Sequence, residues 1–268
     1  AIAEVAPEHM NHVFFTGSGS ESNDTVLRMV RRYWDLKGKP GKKTIISRIN
    51  GYHGSTVAGA SLGGMSVMHE QGDLPIPGIV HIPQPYWYGE GGDMSPDEFG
   101  IWAAQQLEAK IKELGEDKVA AFIAEPIQGA GGVIIPPDTY WPEIKRILAK
   151  YDILLVIDEV ICGFGRTGND FGSTTMGIEP QLMSLAKQLS SAYIPISAAV
   201  IPGEMYEAMV EPSAEVGIFG HGYTYTGHPV ASAAALKALE RALETNPPLS
   251  GARQKVIELR EKPIGKKI

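Results

Sequence analysis

Apolar, strand-like runs alternate with amphipathic, helix-like segments along most of the chain, and this order constrains the fold more than any other feature of the sequence. We predict strands at 12–17, 43–49, 118–127, 153–161, 181–187 and 196–202, and helices at 21–36, 95–114, 138–151 and about 230–243. The strand-like runs are almost continuously apolar, as in strands that are buried on both faces of a sheet. The pattern predicts an α/β domain with a mainly parallel sheet, and long loops at the Gly- and Pro-rich stretches 72–94 and 211–229.

The composition excludes several other classes of protein. Of the 268 residues 43% are hydrophobic, which is enough for one substantial core or two modest ones. The formal net charge of -7 argues against nucleic acid or an anionic membrane as a partner, and no apolar run approaches the roughly 20 residues that cross a bilayer. A single cysteine, Cys162, excludes an internal disulfide and fits a reducing compartment. Because no leader-like segment is visible, we expect a cytoplasmic protein.

Residues that can do chemistry follow the predicted strands, at the points where those strands end. Ser18, Gly19 and Ser20 follow the first strand, and Tyr52 and His53 follow the second. Glu125, Asp158 and Lys187 lie at the ends of the third, fourth and fifth strands, respectively. Ligands of open α/β sheets bind at the carboxyl ends of the strands. We therefore expect these residues to line a single crevice.

The loop within FFTGSGSESND, residues 14 to 24, precedes a predicted helix. Its backbone N–H groups, its hydroxyls and the positive end of the helix dipole suit a phosphate group. This motif alone equally supports a simpler interpretation, in which Ser20 is only the helix N-cap and Glu21 interacts favourably with the dipole. A Gly-x-Gly-x-x-Gly motif would need glycine at Ser22, and Walker, Gly-x-Ser-x-Gly and His-Glu-x-x-His motifs are also absent from the sequence.

Asp158, Lys187 and Tyr52 have ordinary interpretations when each is taken alone. Asp158 could be a loop cap or a magnesium ligand, Lys187 a solvated lysine, and Tyr52 a core or turn residue. In one crevice with a phosphate-binding loop, however, they match the needs of pyridoxal 5'-phosphate (PLP). Its aldehyde binds a lysine, its ring nitrogen an acid and its phosphate a helix N-terminus, while an aromatic side chain can stack on the ring.

Six motifs carry a resemblance to a known family. In chain order they are TGSGSESND, NGYHGST, AEPIQGAGG, IDEVICGFGRTG, LAKQLSSAYIPIS and HGYTYTGHPV, between residues 14 and 230. The chain resembles the class III, fold-type I, PLP-dependent aminotransferases, most closely the branch that transfers amino groups from ω-amines or putrescine to pyruvate. The resemblance implies a large domain with a mainly parallel seven-stranded sheet flanked by helices. It also implies that Lys187 forms a Schiff base with PLP and shuttles a proton, and that Asp158 pairs with the pyridine nitrogen.

The resemblance assigns cofactor-binding roles to the remaining candidates. Ser18, Gly19 and Ser20 would bind the phosphate, and Tyr52 and Val160 would contact the two faces of the ring. Glu125 would lie beside Asp158 and His53. Thr224 resembles the threonine that reaches the phosphate of the neighbouring subunit's cofactor. The implied partners are an amine donor, a keto acid and a second copy of the chain, in a homodimer with shared sites or a tetramer. No metal is expected.

Two departures from related branches concern the substrate. Enzymes that act on ornithine, acetylornithine or GABA resemble EPIQGE, whose last glutamate neutralises a carboxylate-binding arginine, and they tend to carry glutamine after the Asp-Glu pair. Here Ala130 and Ile161 occupy these positions, which makes the pocket less polar. We therefore expect a putrescine-like diamine or another ω-amine as donor and pyruvate as acceptor. Glycines that are common after the lysine in related branches are replaced by Gln188 and Ala192.

The resemblance further implies how the chain divides into domains. Residues 1–245 would be the PLP-binding large domain, incomplete at its N-terminus, and 246–268 the start or remnant of a C-terminal small domain. The alternatives are another class III member, such as a β-alanine or ω-amino acid aminotransferase, an aminomutase or a racemase, and a truncated, non-catalytic protein of the same fold.

Overall fold

The computed structural model describes residues 1–245, and these residues contain a seven-stranded sheet. Its strands are β1 His12–Thr16, β2 Thr44–Arg48, β3 Ile79–Ile82, β4 Val119–Ala124, β5 Leu154–Asp158, β6 Leu182–Leu185 and β7 Ser197–Ile201. They lie in the order β1-β7-β6-β5-β4-β2-β3, in which β7 runs antiparallel to both its neighbours and the other pairs are parallel. The predicted α/β class with a mainly parallel sheet is confirmed.

Helices lie before, between and after the strands. They are α1 Ile2–Val5, α2 Gly19–Leu36, α3 Val57–Leu62, α4 Ser66–Gly72, α5 Trp87–Glu90, α6 Pro96–Leu114, α7 Tyr140–Tyr151, α8 Gly172–Met176, α9 Gly203–Val216 and α10 Pro229–Thr245, with a short 3-10 helix at Lys187–Ser190. Helix α6 begins as its sequence predicts, because Ser95 Oγ accepts the Glu98 N–H at 3.3 Å and the Glu98 carboxylate accepts the Ser95 N–H at 2.8 Å. This capping box satisfies N–H groups that a helix start leaves free.

Helices cover both faces of the sheet, which explains the almost continuously apolar strands. In β4, Phe122 and Ala124 pack in a cluster with α6 and α7, whereas Ala121 and Ile123 pack in a second cluster with α2. All four side chains are buried. Burial of a side chain such as Phe122 or Ile123 contributes roughly 1.5–3 kcal/mol, so apolar packing holds the sheet from both sides.

The short helices α1, α3, α4 and α8 were not predicted from sequence, and two predicted loops contain regular structure. The stretch 72–94, predicted to be a loop, contains β3 and α5. Strand β3 has only four residues, one of them His81, so its apolar pattern is too short to stand out. Helix α9 runs into the predicted loop 211–229 and continues past Pro212, a residue type that ordinarily ends a helix.

The described residues end with α10, which agrees with the helix predicted near residue 230. The predicted small-domain segment, 246–268, lies outside the described residues. Within residues 1–245, no helix combines the length and the apolar character that a membrane crossing requires.

Candidate active site

A cavity of about 220 Å³ lies at the carboxyl ends of β4, β5 and β6. All the predicted site residues except Thr224 line it. The lining residues among them are Ser18, Gly19, Ser20, Tyr52, His53, Glu125, Asp158, Val160 and Lys187. The exception is Thr224, which is exposed in the segment between α9 and α10 and does not line this cavity. The fold therefore brings residues from five separate stretches of sequence to one edge of the sheet.

Ser18, not Ser20, is the N-cap of α2. The backbone of Ser18 is extended (φ -152, ψ 160), and its Oγ accepts the Glu21 N–H at 3.2 Å. The Glu21 carboxylate turns back and accepts the Gly17 N–H at 2.6 Å. The interpretation of Ser20 as the cap is therefore wrong. The signal that identifies the true cap is the Ser-x-x-Glu spacing from Ser18 to Glu21, which is typical of a capping box.

Ser20 instead joins the start of α2 to the loop that follows β2. Its Oγ accepts the Ser55 N–H at 3.0 Å. Gly54 lies directly against it, with φ +132, and a Cβ at this position would be 2.6 Å from Ser20 Oγ. The backbone N–H groups of Gly19 and Ser20 bond to nothing within residues 1–245. These two groups, at the positive end of α2, can therefore bind an anion in the cavity.

Asp158 ends β5 with a buried side chain that accepts three hydrogen bonds. Its Oδ2 accepts from Asn23 Nδ2 and from His53 Nδ1, each at 2.8 Å, and its Oδ1 accepts the Val160 N–H at 3.0 Å. The residue is only 3% exposed, and burial without such partners would be costly for a carboxylate. These contacts fix the position of the carboxylate at the cavity wall.

Asn23 is a site residue that the sequence interpretation missed. It lines the cavity and is 1% exposed. Besides Asp158, its Nδ2 donates to the His53 carbonyl at 2.8 Å, and its Oδ1 accepts the Ser184 hydroxyl at 2.6 Å. A signal for it exists, because residue 23 lies on the same helical face as the buried apolar positions 26, 27 and 30. A polar residue on a buried face needs partners, and here they are site residues.

Glu125, which follows β4, holds the loop after β2 in place. Its Oε1 accepts the Tyr52 N–H at 3.1 Å, and its Oε2 accepts the Gly129 N–H at 2.8 Å. Burial raises the pKa of Glu125, and the nearby His53 lowers it by a smaller amount. The Tyr52 hydroxyl is bonded to Ser55 Oγ at 2.9 Å. Tyr52 is therefore held at both its backbone and its ring.

Lys187 begins the 3-10 helix that follows β6, and its backbone is left-handed (φ +45). This conformation is uncommon for residues other than glycine, and such residues cluster at functional sites as well as in turns. The side chain is exposed at the cavity, and its amine has no hydrogen-bond or ion-pair partner among the described residues. Ala192, at one of the positions where related branches carry glycine, is also left-handed (φ +63).

Of the two positions predicted to set the polarity of the substrate pocket, only Ile161 borders this cavity. Gly129 packs against it, because a Cβ at 129 would lie 2.5 Å from Ile161 Cδ1. Ala130 is exposed and does not contribute to the cavity wall. Of these two positions, Ile161 therefore supplies the apolar surface of the cavity wall.

The fold is that of the fold-type I aminotransferases. An omega transaminase from Pseudomonas jessenii, solved in complex with PMP, matches the fold with a TM-score of 0.89 at 51% identity, over 91% of this chain and 54% of its own. The chain belongs to the aminotransferase class-III family, whose sequence model matches residues 1–262. Members of this family depend on PLP.

Two curated relatives are similar over most of the chain. A putrescine–pyruvate aminotransferase from Pseudomonas aeruginosa is 70% identical over 237 residues, which are 88% of this chain and 51% of the relative. A diaminobutyrate–2-oxoglutarate transaminase from Halomonas elongata is 46% identical over 241 residues, or 89% of this chain and 51% of the relative. The chain spans about half the length of the curated relatives it matches.

Proposed function

We propose that this chain forms the cofactor-binding part of a PLP-dependent aminotransferase that transfers an amino group from a putrescine-like diamine or another ω-amine to pyruvate. The observation that carries the proposal is the set of groups around one cavity: the Lys187 amine, the N–H groups of Gly19 and Ser20, and the Asp158 carboxylate. Similarity to a putrescine–pyruvate aminotransferase supports the choice of substrates.

These groups fit the three functional ends of PLP. The Lys187 amine, which has no partner in the described chain, can bond to the aldehyde. The N–H groups of Gly19 and Ser20 can bind the phosphate, and Asp158 can accept the N–H of the pyridine ring. When bound, PLP stabilises negative charge on the substrate carbon and carries the amino group.

The protein's own residues would position the reacting groups and move one proton. Tyr52 and Val160 line the cavity from different loops and would contact the two faces of the ring. Glu125 and His53 would keep Tyr52 and Asp158 in place through the hydrogen bonds described above. Lys187 Nζ can take up a proton from the substrate and return it, as a general acid–base.

The preference for an amine without a carboxylate is supported by Ile161, which adds an apolar surface to the cavity wall. Pyruvate as acceptor is supported by the relative at 70% identity, whereas the relative at 46% identity is named for 2-oxoglutarate. A comparison of the reaction rates with pyruvate and with 2-oxoglutarate therefore tests the acceptor.

A second copy of the chain completes the proposal. Thr224 is exposed and does not line the cavity of its own chain, which is compatible with a contact to the phosphate in a neighbouring subunit. We propose a homodimer with shared sites, in which 1–245 is the large domain of a cytoplasmic enzyme.

Hybrid dimers of Thr224→Ala and Lys187→Ala chains would contain one site with both changes and one with neither. A hybrid that recovers about half of the wild-type activity supports the shared site.

The test of the proposed function uses the full-length protein, PLP, a panel of amines and either pyruvate or 2-oxoglutarate. We expect visible absorbance of bound PLP, lost in Lys187→Ala, and fastest formation of alanine with putrescine. A faster reaction with 2-oxoglutarate would contradict the acceptor. Bound PLP without net amino transfer favours an aminomutase or racemase, and a protein that stays colourless with PLP favours the non-catalytic alternative.

A further inference from the structure

We propose that Asn23 determines which oxygen of Asp158 is presented to the cofactor, so that Oδ1 is the acceptor for the pyridine N–H. This inference rests on the proposed function. It makes Asn23 a positioning residue, which acts on the cofactor through Asp158.

Asp158 has one hydrogen-bond acceptor position left for the cofactor. An ionised carboxylate offers about four lone-pair positions, two on each oxygen. Oδ2 uses both of its positions, for Asn23 Nδ2 and His53 Nδ1, each at 2.8 Å. Oδ1 uses one, for the Val160 N–H at 3.0 Å. The remaining position is on Oδ1, and Asp158 lines the cavity.

The amide of Asn23 cannot turn over. Both of its N–H groups donate, one to Asp158 Oδ2 and one to the His53 carbonyl, each at 2.8 Å. Its Oδ1 accepts the Ser184 hydroxyl at 2.6 Å. A flipped amide would place an oxygen against two acceptors, in a place where all of these side chains are buried.

This arrangement follows from the way the helix packs on the sheet. Asn23 is on the first turns of α2, whereas Ser184 and Asp158 are opposite each other in the paired strands β6 and β5. The amide therefore spans from the helix to the two strands whose ends carry Lys187 and Asp158. Any change at Asn23 alters the placement of Asp158 relative to the helix that begins at the phosphate-binding N–H groups.

The experiment loads the protein with PLP that is isotopically labelled at its ring nitrogen and measures the NMR chemical shift of that nitrogen. In the wild type we expect the shift of a protonated pyridine. Asn23→Leu keeps the number and branching of the side-chain heavy atoms but removes the donor, and we expect its shift to move toward that of neutral pyridine, with kcat lowered at least tenfold and KM changed much less.

A matched control is Ser22→Ala on the same helix. Ser22 is fully buried, and its hydroxyl donates to the Ala198 carbonyl at 2.8 Å, away from the cavity. This variant loses a buried hydrogen bond of similar length, so its melting temperature is expected to fall while the nitrogen shift stays that of the wild type. A purely structural role of Asn23 would give the same result in Asn23→Leu.

The outcomes separate this inference from the proposed function. A wild type that takes up no labelled PLP overturns the proposed function and this inference with it. If the wild type binds PLP and Asn23→Leu leaves the nitrogen shift unchanged, only the role of Asn23 is overturned. Should Asn23→Leu fail to fold, Asn23→Ala decides, because it also removes the donor to Asp158 and brings in no larger side chain; an unchanged shift there also overturns the role.

Discussion

Asp158 and Glu159 are neighbours in the sequence, yet their carboxylates bind different parts of the fold. Asp158 bonds to Asn23 on α2 and lines the cavity. Glu159 accepts the N–H groups of Gly172 at 2.9 Å and Ser173 at 2.6 Å, at the start of α8, and is fully buried. Burial raises the pKa of Glu159 to about 7. The two carboxylates are thus expected to serve catalysis and stability, respectively.

Glu159 should make stability depend on pH. Because its pKa in the folded protein lies above the unfolded value of 4.5, the stabilising contribution is complete below that value and is lost as the pH rises through about 7. Urea unfolding across this range should show a steeper loss of unfolding free energy with rising pH in the wild type than in Glu159→Gln. Equal slopes of unfolding free energy against pH in both proteins would contradict the assignment. Glu125, whose pKa burial also raises, is present in both and cancels in the comparison.

The positions of the site residues could be predicted because they follow from the ends of strands. Apolar runs in the sequence predict β4, β5 and β6. The polar residues just after these strands must therefore lie at the carboxyl edge of the sheet. Each polar residue on its own was ambiguous, since Asp158 alone fits several roles. The combination in one crevice, and not any single motif, carries the information.

Three of the features that the sequence did not predict have separate physical reasons. Strand β3 is too short to show a recognisable pattern of apolar residues, and it forms by pairing with β2. Helix α9 passes Pro212 because tertiary packing overrides local preference. Asn23 was overlooked because its partners, Ser184 and Asp158, are far away in sequence, so that only the folded chain shows why a buried helix face carries an amide.

Gly54→Ala is expected to separate the loop after β2 from α2. A Cβ at this position would lie 2.6 Å from Ser20 Oγ and 2.8 Å from Ser20 Cα, and the φ of +132 is unfavourable for alanine. We expect a loss of roughly 1–3 kcal/mol in the free energy of unfolding and weaker PLP binding. The matched control is Gly92→Ala, where φ is +55 but nothing lies within 4 Å. Equal effects of the two changes on PLP affinity would contradict the close contact.

Ser18→Ala and Ser20→Ala should have different effects on the protein without cofactor. Ser18 is the N-cap, so its loss is expected to cost about 1 kcal/mol, whereas Ser20 only accepts the Ser55 N–H. Chemical denaturation measures the difference. The double variant should fold and yet bind PLP more weakly, because both residues line the cavity. Unchanged PLP affinity would contradict a role of the two hydroxyls in phosphate binding and would leave that role to the backbone N–H groups.

Cys162 is expected to be unreactive in the folded protein. Its side chain is 3% exposed, and its Sγ donates to the Ile127 carbonyl at 3.7 Å. Burial raises the pKa of the Cys162 thiol, so that little thiolate is present at neutral pH. A chromogenic thiol reagent should react at once with the urea-unfolded chain and only slowly with the folded one. Rapid reaction of the native protein would show that this part of the fold opens.

Ala192→Gly is expected to stabilise the turn after Lys187. Ala192 is exposed and left-handed (φ +63), a conformation that costs about 1–2 kcal/mol for residues with a Cβ, whereas glycine loses roughly 0.5–1 kcal/mol of backbone entropy. The net expectation is a gain of up to about 1 kcal/mol, measured by chemical denaturation.

The matched change is Ala149→Gly, at an exposed position within α7. There the backbone is helical, so glycine has only its entropic cost and should destabilise by about 1 kcal/mol. The two substitutions remove the same methyl group from exposed positions, and their opposite signs would therefore isolate the backbone conformation at 192. A loss of stability in both would show that Ala192 is not strained, and that the turn carrying Lys187 accepts alanine without cost.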